Sequence, residues 1–209
     1  MKILIPTMLS PEQVAPQIEA IRAVTPDADI FASCLQASAS VNRNACLDQI
    51  EVGDVACMID DDIEGFYPHW RLDLLASLWV VPGTVMVSAR LLNPDGSFGP
   101  TCSRCFAREP MEIVLKPHPN HAHCIMPSAA IAFVHRGHRF PADVLRGSGW
   151  EDNWFCAEYV EADPDAVFVQ SNRCQLRHLN QQKGQHGENW AHNKAEFFKR
   201  WPRGIPWKW

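Results

Sequence analysis

Three consecutive carboxylates follow a short apolar stretch in the first third of the chain. Residues 55–59 are apolar and predict a buried strand, and Asp60, Asp61 and Asp62 come directly after it. Three adjacent acids cannot all be buried without partners, because unpaired buried charge is very costly. Mg²⁺ and Mn²⁺ prefer carboxylate oxygens, and ligands bind at strand ends in open α/β sheets. The stretch therefore indicates either a metal site that holds an anionic ligand such as a diphosphate, or a solvated acidic turn.

Three other groups of polar residues suit a site of this kind. Glu151 and Asp152 follow a glycine-flanked loop, so they either complement the start of a helix or supply a general base at a pocket rim. His178 follows the last predicted strand and is either a surface residue or a metal ligand that completes the shell of Asp62. Arg43 is either an exposed arginine or a bidentate partner of a phosphate.

The remaining pattern predicts strands and helices that would bring these positions together. The predicted strands are residues 2–6, 29–34, 55–59, 84–92, 129–134 and 166–170. The first predicted helix starts with a capping box of Ser10 and Gln13. Further helices are expected around Val41, Ala45 and Ile50, and at residues 70–79, 151–161 and 188–201. Strand and helix alternate in the first third, which favours a parallel, Rossmann-like half, whereas residues 99–127 are expected to be irregular.

Length and composition narrow the classes of function. A chain of 209 residues suits one α/β domain with a substantial core. The formal net charge of −5 means that a nucleic-acid partner would need a local basic patch. No apolar run approaches 18 residues, so no membrane span is expected. The N-terminal apolar stretch is too short for a signal peptide, which predicts a cytoplasmic protein with eight reduced cysteines.

Taken in order along the chain, these motifs resemble the GT-A-fold glycosyltransferases, specifically the family-2-type group of inverting nucleotide-sugar transferases. The resemblance covers about residues 1 to 201. The matching positions are Pro6-Thr7, Arg43-Asn44, the Asp-x-Asp motif of Asp60-Asp61-Asp62, Ala89-Arg90-Leu91, Gly149-Trp150-Glu151-Asp152 with Phe155, His178, and a tail with Asn193, Phe197, Lys199 and Trp201. The Asp-x-Asp motif alone occurs by chance, but the ordered set is much more specific.

The resemblance implies a single GT-A domain, with a mixed central sheet flanked by helices, and a role for each motif. Asp60 would contact the ribose of the nucleotide sugar, and Asp62 would bind Mn²⁺ or Mg²⁺ together with His178. Asp152 would take the proton from the acceptor hydroxyl, and Glu151 would orient the acceptor or the base. The positions expected to lie at the nucleotide sugar are Pro6, Thr7, Arg43, Asp60 and Asp61. Of these, Asp61 is expected to be structural and to tolerate Asn.

The same resemblance suggests a division of the chain and a set of partners. Residues 1–180 would form the GT-A domain, with residues 1–92 binding the nucleotide sugar and residues 93–180 binding the acceptor. Residues 181–209 would form a basic, aromatic tail that packs on this domain. A UDP- or GDP-sugar is the expected donor, and a surface glycan, a protein or a hydroxylated DNA base the expected acceptor. The alternatives are another metal-dependent nucleotidyl-transfer enzyme and a zinc-stabilised binding protein on an inactive transferase fold.

Two further features have more than one interpretation. Cys102, Cys105, His118 and His123 have the spacing of a two-Cys two-His zinc site, although nearby prolines argue against a finger helix. They predict either a local structural zinc site or free thiols and polar histidines. The tail from residue 181 holds six Lys or Arg interleaved with aromatic residues. It suits a nucleic-acid surface, sugar stacking, a membrane interface, or an amphipathic helix folded over the sheet.

Overall fold

Strands and helices alternate through most of the chain in the computed structural model, which describes residues 1–97, 121–123, 129–179 and 187–205. The strands are β1 (Lys2–Pro6), β2 (Asp29–Ser33), β3 (Val55–Ile59), β4 (Ile63–Glu64), β5 (Thr84–Leu92), β6 (His121–His123), β7 (Ala130–Val134) and β8 (Val167–His178). The helices are α1 (Pro11–Val24), α2 (Ala39–Leu47), α3 (Trp70–Val80), α4 (Glu151–Ala162) and α5 (Glu188–Arg200). The predicted α/β class is confirmed.

One mixed sheet contains all these strands, in the order β2-β1-β3-β7-β5-β8-β4, with β6 paired to β8. The neighbours β2, β1 and β3 are parallel, as the alternation in the sequence predicts. The strand β7 runs antiparallel to both β3 and β5, which makes the sheet mixed. Because β5 of the predicted donor half pairs with β8 of the predicted acceptor half, both halves share this sheet. The domain boundaries themselves stay a prediction.

Each face of the sheet is covered by helices, because alternate residues of a buried strand point to opposite faces. On one face, Ile3 and Ile5 of β1 belong to the same apolar cluster as the inner residues of α1 and α3. On the other face, Leu4 and Met58 pack in a cluster with residues from α2, α4 and α5. Fully buried aromatic side chains fill this second cluster, among them Phe133, Phe140, Phe155, Tyr159, Phe168 and Phe197.

The second helix differs from its prediction in extent and in the character of its buried face. It ends at Leu47, so Ile50 lies beyond it. Its buried residues include the polar Asn42 and Arg43. Asn42 Oδ1 accepts a hydrogen bond from Ser33 Oγ at 2.8 Å and its amide donates to the Leu35 carbonyl at 3.0 Å, so β2 and the following turn satisfy this buried amide.

The last strand is longer than predicted, and two short strands that pair with it, β4 and β6, were missed. The strand β6 lies within residues 99–127, which were expected to be irregular. The prediction stopped at residue 170, but β8 continues to His178, with Cys174 and Leu176 buried and Arg173 and Gln175 exposed. This is the period-two pattern of a strand with one solvated face. The two-residue strand β4 pairs antiparallel with the end of β8, and it places Ile63 opposite His178. His178 therefore ends a strand instead of following one.

Some predictions fall on residues that the structure does not describe. Cys102, Cys105, His118 and the side chain of His123 are among them, so the zinc site stays a prediction. Among the described residues, no helix is long and apolar enough to cross a membrane.

Candidate active site

The acidic turn lies beside the end of β1, which is parallel to β3 and adjacent to it. Thr7, directly after Pro6 and 3% exposed, donates from Oγ1 to Asp61 Oδ2 at 2.5 Å. The same hydroxyl accepts the backbone N–H of Leu9 at 2.9 Å. Parallel strands end at the same edge of a sheet, which is why residues so far apart in sequence meet here. The middle carboxylate of the turn is therefore anchored to the first strand.

A residue that the sequence did not single out holds the backbone of the same turn. Gln17, on α1, donates from Nε2 to the carbonyls of Asp60 and Ile63, at 2.8 and 3.0 Å. On the other side, the Asp60 N–H donates to the carbonyl of Ala129 at 2.7 Å. A glutamine on the polar side of a helix looks like an ordinary surface residue in the sequence, so no signal pointed to Gln17.

Arg43 connects the acidic turn to the start of α4. Its Nη2 lies 3.0 Å from Asp60 Oδ1, and its Nη1 lies 2.9 Å from Asp152 Oδ1. Arg43 is only 7% exposed, which contradicts the interpretation of an exposed arginine. Burial opposes its charge, but Asp152, Asp60 and Glu151 more than compensate, so the pKa of Arg43 is raised. The guanidinium also lies over the Phe140 ring, 5.3 Å from its centroid.

Glu151 and Asp152 start α4, as predicted, but their environments differ. Glu151 is 4% exposed, and both of its carboxylate oxygens accept from the Gly149 N–H, at 2.8 and 2.6 Å. Burial raises the pKa of Glu151 to about 7, although Arg43 opposes the shift. Asp152 keeps a side chain 22% exposed and is held through its ion pair with Arg43. Asp152 is thus the more accessible carboxylate of the pair.

Asp62 and His178 meet at the other end of the acidic turn. His178 Nε2 lies 3.1 Å from Asp62 Oδ1, and the Leu179 N–H donates to the Asp62 carbonyl at 2.9 Å. Burial disfavours charge on the imidazole, but the hydrogen bond and charge of Asp62, helped by Asp60 and Asp152, raise the pKa of His178. Pairing of β4 with β8 brings the two side chains together.

The Asp62–His178 pair fits a metal of the expected kind. Two neighbouring ligands of an octahedral ion, each about 2.1 Å from it, lie about 3.0 Å apart. The observed separation of 3.1 Å between Asp62 Oδ1 and His178 Nε2 is compatible with that value, and it is also the length of the hydrogen bond between the two side chains. No group of three or more potential metal ligands is found among the described residues. Mg²⁺-type sites commonly use one or two protein side chains and complete their shell with phosphate oxygens and water.

Two residues beside the site have left-handed backbone conformations although they are not glycine. Trp150 has a φ of 74° and precedes Glu151, whereas Ala129 has a φ of 61° and accepts the Asp60 N–H. Such conformations cost of order 1–3 kcal/mol each and concentrate at functional sites. Neither was foreseen, because the sequence does not reveal backbone angles.

Comparison with protein-family models and with curated protein sequences finds no match. Comparison with solved structures does find similar folds. A mycobacterial protein has a TM-score of 0.59 at 16% identity, with 98% of this chain and 75% of that chain covered. GalNAc-T7, solved with UDP, GalNAc and Mn²⁺, has a TM-score of 0.59 at 10% identity. The match covers 94% of this chain and 41% of the GalNAc-T7 chain.

A third similar structure is glucosyl-3-phosphoglycerate synthase from Mycobacterium tuberculosis, solved with Mg²⁺ and UDP. Its TM-score is 0.56 at 16% identity, with 98% of this chain and 79% of that chain covered. The same enzyme has also been solved with Mn²⁺, UDP-glucose and phosphoglyceric acid. The likeness in fold confirms that this chain has the GT-A fold, as the order of its motifs predicts.

Proposed function

We propose that the chain is a metal-dependent glycosyltransferase that moves a sugar from a nucleoside-diphosphate sugar to an acceptor hydroxyl. The observation that carries this proposal is the convergence of the acidic turn, Arg43, Asp152 and His178 at one edge of the sheet. The similar structures that contain UDP with Mn²⁺ or Mg²⁺ support a donor and a metal of this class. A UDP- or GDP-sugar remains the expected donor.

On the donor side, Asp60 accepts hydrogen bonds from the ribose hydroxyls, and Pro6 and Thr7 border the nucleotide. Asp62 and His178 hold the Mn²⁺ or Mg²⁺, which when bound neutralises the diphosphate leaving group. The donor side is well ordered for this task, because Thr7 and Gln17 fix the side chain of Asp61 and the backbone of the turn. The sugar is thus presented beside Asp152.

On the acceptor side, Asp152 takes the proton from the attacking hydroxyl. Arg43 contacts its Oδ1, and the exposed part of the side chain is available to an acceptor. Attack on the face opposite the diphosphate inverts the anomeric carbon, and Asp152 ends the step protonated. Glu151 orients the acceptor or the base. The acceptor is a glycan, a protein or a hydroxylated DNA base, as expected from the sequence.

A thermal-shift panel of UDP- and GDP-sugars with Mn²⁺ tests the donor assignment, because a ligand that binds only the folded state raises Tm. We expect one donor to stabilise the wild type and Asp152→Asn, and not Asp62→Ala. Donor hydrolysis and transfer should fall at least about 100-fold in Asp152→Asn, the usual contribution of a general base. Glu19→Gln, which changes an exposed acid on α1, is the matched control.

Four outcomes would contradict the proposal or parts of it. A flat thermal response to every donor argues against a transferase. Metal-dependent turnover that survives Asp62→Ala removes Asp62 from the metal site. A product with retained anomeric configuration, measured by NMR, removes the role of base from Asp152 but leaves sugar transfer intact. Release of a sugar 1-phosphate instead of a nucleoside diphosphate would indicate nucleotidyl transfer, because the bond between the two phosphates of the donor would then have broken instead of the glycosidic bond.

A further inference from the structure

A buried asparagine on α5 holds the loop that precedes the two carboxylates of α4. Asn193 is 0% exposed, and its Oδ1 accepts the Arg146 N–H at 2.8 Å. Its Nδ2 donates to the carbonyl of Arg146 at 2.9 Å and to that of Gly149 at 2.8 Å. One side chain thus satisfies three backbone groups at the two ends of the loop, residues 146–149. Gly149, in turn, donates to Glu151.

We infer that Asn193 is a positioning residue. It fixes the positions of Glu151 and Asp152 by holding the 146–149 loop that precedes them. Asn193 itself contacts neither carboxylate in the structure, so its effect passes through the backbone of the loop and the start of α4. That this loop serves catalysis rests on the proposed function, whereas the role of Asn193 in holding the loop does not. No other described residue makes three hydrogen bonds to this loop.

The loop is also tied to the helix that carries Arg43. The Ala39 N–H, at the start of α2, donates to the Gly147 carbonyl at 2.8 Å. Gly147 has a φ of +56°, and a Cβ added there would lie 2.4 Å from Asn189 Nδ2 on α5. Both α2 and α5 therefore contact the same residue of the loop, Gly147. A displacement of α5 would move the carboxylate of Asp152 relative to Arg43.

Aromatic packing fixes where Asn193 lies. Phe197, one turn further along α5, packs with its ring centroid 5.2 Å from that of Trp150. Trp201 lies 5.0 Å from Trp154 by the same measure. These contacts join α5 to the N-terminal end of α4, directly after the loop. A buried amide in such an apolar setting is stable only when its hydrogen bonds are made, and this one makes all three.

The chemistry of the site selects an amide over its closest relatives. Asp at position 193 would keep an acceptor for the Arg146 N–H but would point a carboxylate oxygen at two carbonyls. Leu would match the size and lose all three hydrogen bonds. Because the base must lie within hydrogen-bond reach of the hydroxyl, a loosened loop should lower kcat while the donor site keeps its affinity.

The test compares Asn193→Asp with Glu196→Gln, a change on the same helix at a partly exposed residue whose ion pair is with Lys199, one turn further along α5. In Asn193→Asp, we expect amide hydrogen exchange of residues 146–150 to accelerate at least tenfold. We also expect kcat to fall at least tenfold, with KM for the donor and Kd for UDP–Mn²⁺ within twofold of wild type. Glu196→Gln should leave exchange in the loop and kcat within twofold of wild type.

The two readouts separate this inference from the proposed function. Unchanged exchange of the loop in Asn193→Asp overturns the inference, whatever the activity. A loss of kcat in Glu196→Gln equal to that in Asn193→Asp also overturns it, because any change in α5 would then have the same effect. Accelerated exchange with no transferase activity even in the wild type leaves the role of Asn193 in holding the loop intact and contradicts the proposed function instead. Each variant is measured at the same number of degrees below its own Tm, so that global unfolding is excluded as the cause of faster exchange or lower kcat.

Discussion

The two sides of the candidate site are held by different kinds of structure. On the donor side, Asp60 to Asp62 follow a central strand directly, and Thr7 and Gln17 fix them from adjacent elements. On the acceptor side, Asp152 follows a glycine-containing loop that α2 and α5 hold from outside. The donor side therefore directly follows the end of a central strand and is fixed by two nearby side chains, whereas the acceptor side follows a loop that two helices hold. We expect changes in α5 to affect the base before they affect donor binding.

Arg43 is the residue that joins the two sides, so its removal should have the largest effect. Arg43→Met would leave Asp60 and Asp152 without their shared cation, and breaking a buried ion pair costs about 3–5 kcal/mol. Both carboxylates are partly exposed, which favours a value near 3 kcal/mol. Urea unfolding measures the change.

Arg43→Lys is the matched control for charge. A lysine keeps the cation but cannot bridge two carboxylates with a planar fork, so it should recover only part of the lost free energy of unfolding. If Arg43→Met lies within 1 kcal/mol of wild type, Arg43 is not the link between the two sides.

Glu151 should make stability depend on pH on the acceptor side. Its pKa is raised from 4.5 to about 7 in the folded chain, so folding favours the protonated form. That contribution is fully present below about pH 4.5 and is lost as the pH rises through about 7. It amounts to at most about 3 kcal/mol. When the pH is raised from about 4.5 to about 8, the free energy of unfolding should therefore fall less in Glu151→Gln than in the wild type.

The matched change for this comparison is Glu19→Gln on α1, which is exposed and should keep the pH dependence of the wild type. Chemical unfolding at several pH values gives both profiles. Parallel profiles for wild type and Glu151→Gln would show that the buried carboxyl group contributes nothing to the pH dependence.

Gly147→Ala tests how tightly the acceptor-side loop is packed. An alanine with a φ near +56° is strained, and its Cβ would lie 2.4 Å from Asn189 Nδ2. We expect a loss of about 1–2 kcal/mol in stability. The value of kcat should also fall, with binding of UDP–Mn²⁺ unchanged. Adding Asn189→Ala should recover the steric part only. A double variant no better than the single one would mean that the backbone angle alone matters.

The contrast between the two sides explains how much the sequence predicts. Buried parallel strands are short apolar runs, so β1, β3 and β5 and the acidic turn after β3 are visible in the chain. The capping box of α1 is equally local and is confirmed. Such features depend on neighbouring residues, and the donor side consists mostly of them. The grouping of Asp62 with His178 was one of two interpretations of the residue types, and the resemblance favoured it.

The parts that the sequence does not predict depend on distant partners. The two-residue strand β4 exists only because the end of β8 lies beside it. Asn193 is singled out in the sequence only as a position of the resemblance, and nothing near it in the chain predicts that it is completely buried against a loop. Arg43 is buried because two acids from distant segments converge on it. Neither local propensity nor periodicity reports such contacts.

The smallest effect is expected at Asp61, within the donor side. Its Oδ2 accepts the Thr7 hydroxyl at 2.5 Å, and an asparagine oxygen can accept the same bond. Asp61→Asn should therefore change the free energy of unfolding by less than about 1 kcal/mol, whereas Thr7→Val should cost about 1–2 kcal/mol because it leaves the carboxylate without its donor. Donor affinity, measured by calorimetry with Mn²⁺ present, should stay within a few-fold of wild type in Asp61→Asn. If donor affinity falls as far as in Asp62→Ala, the middle carboxylate has a role in binding, and the structural role assigned to Asp61 is wrong.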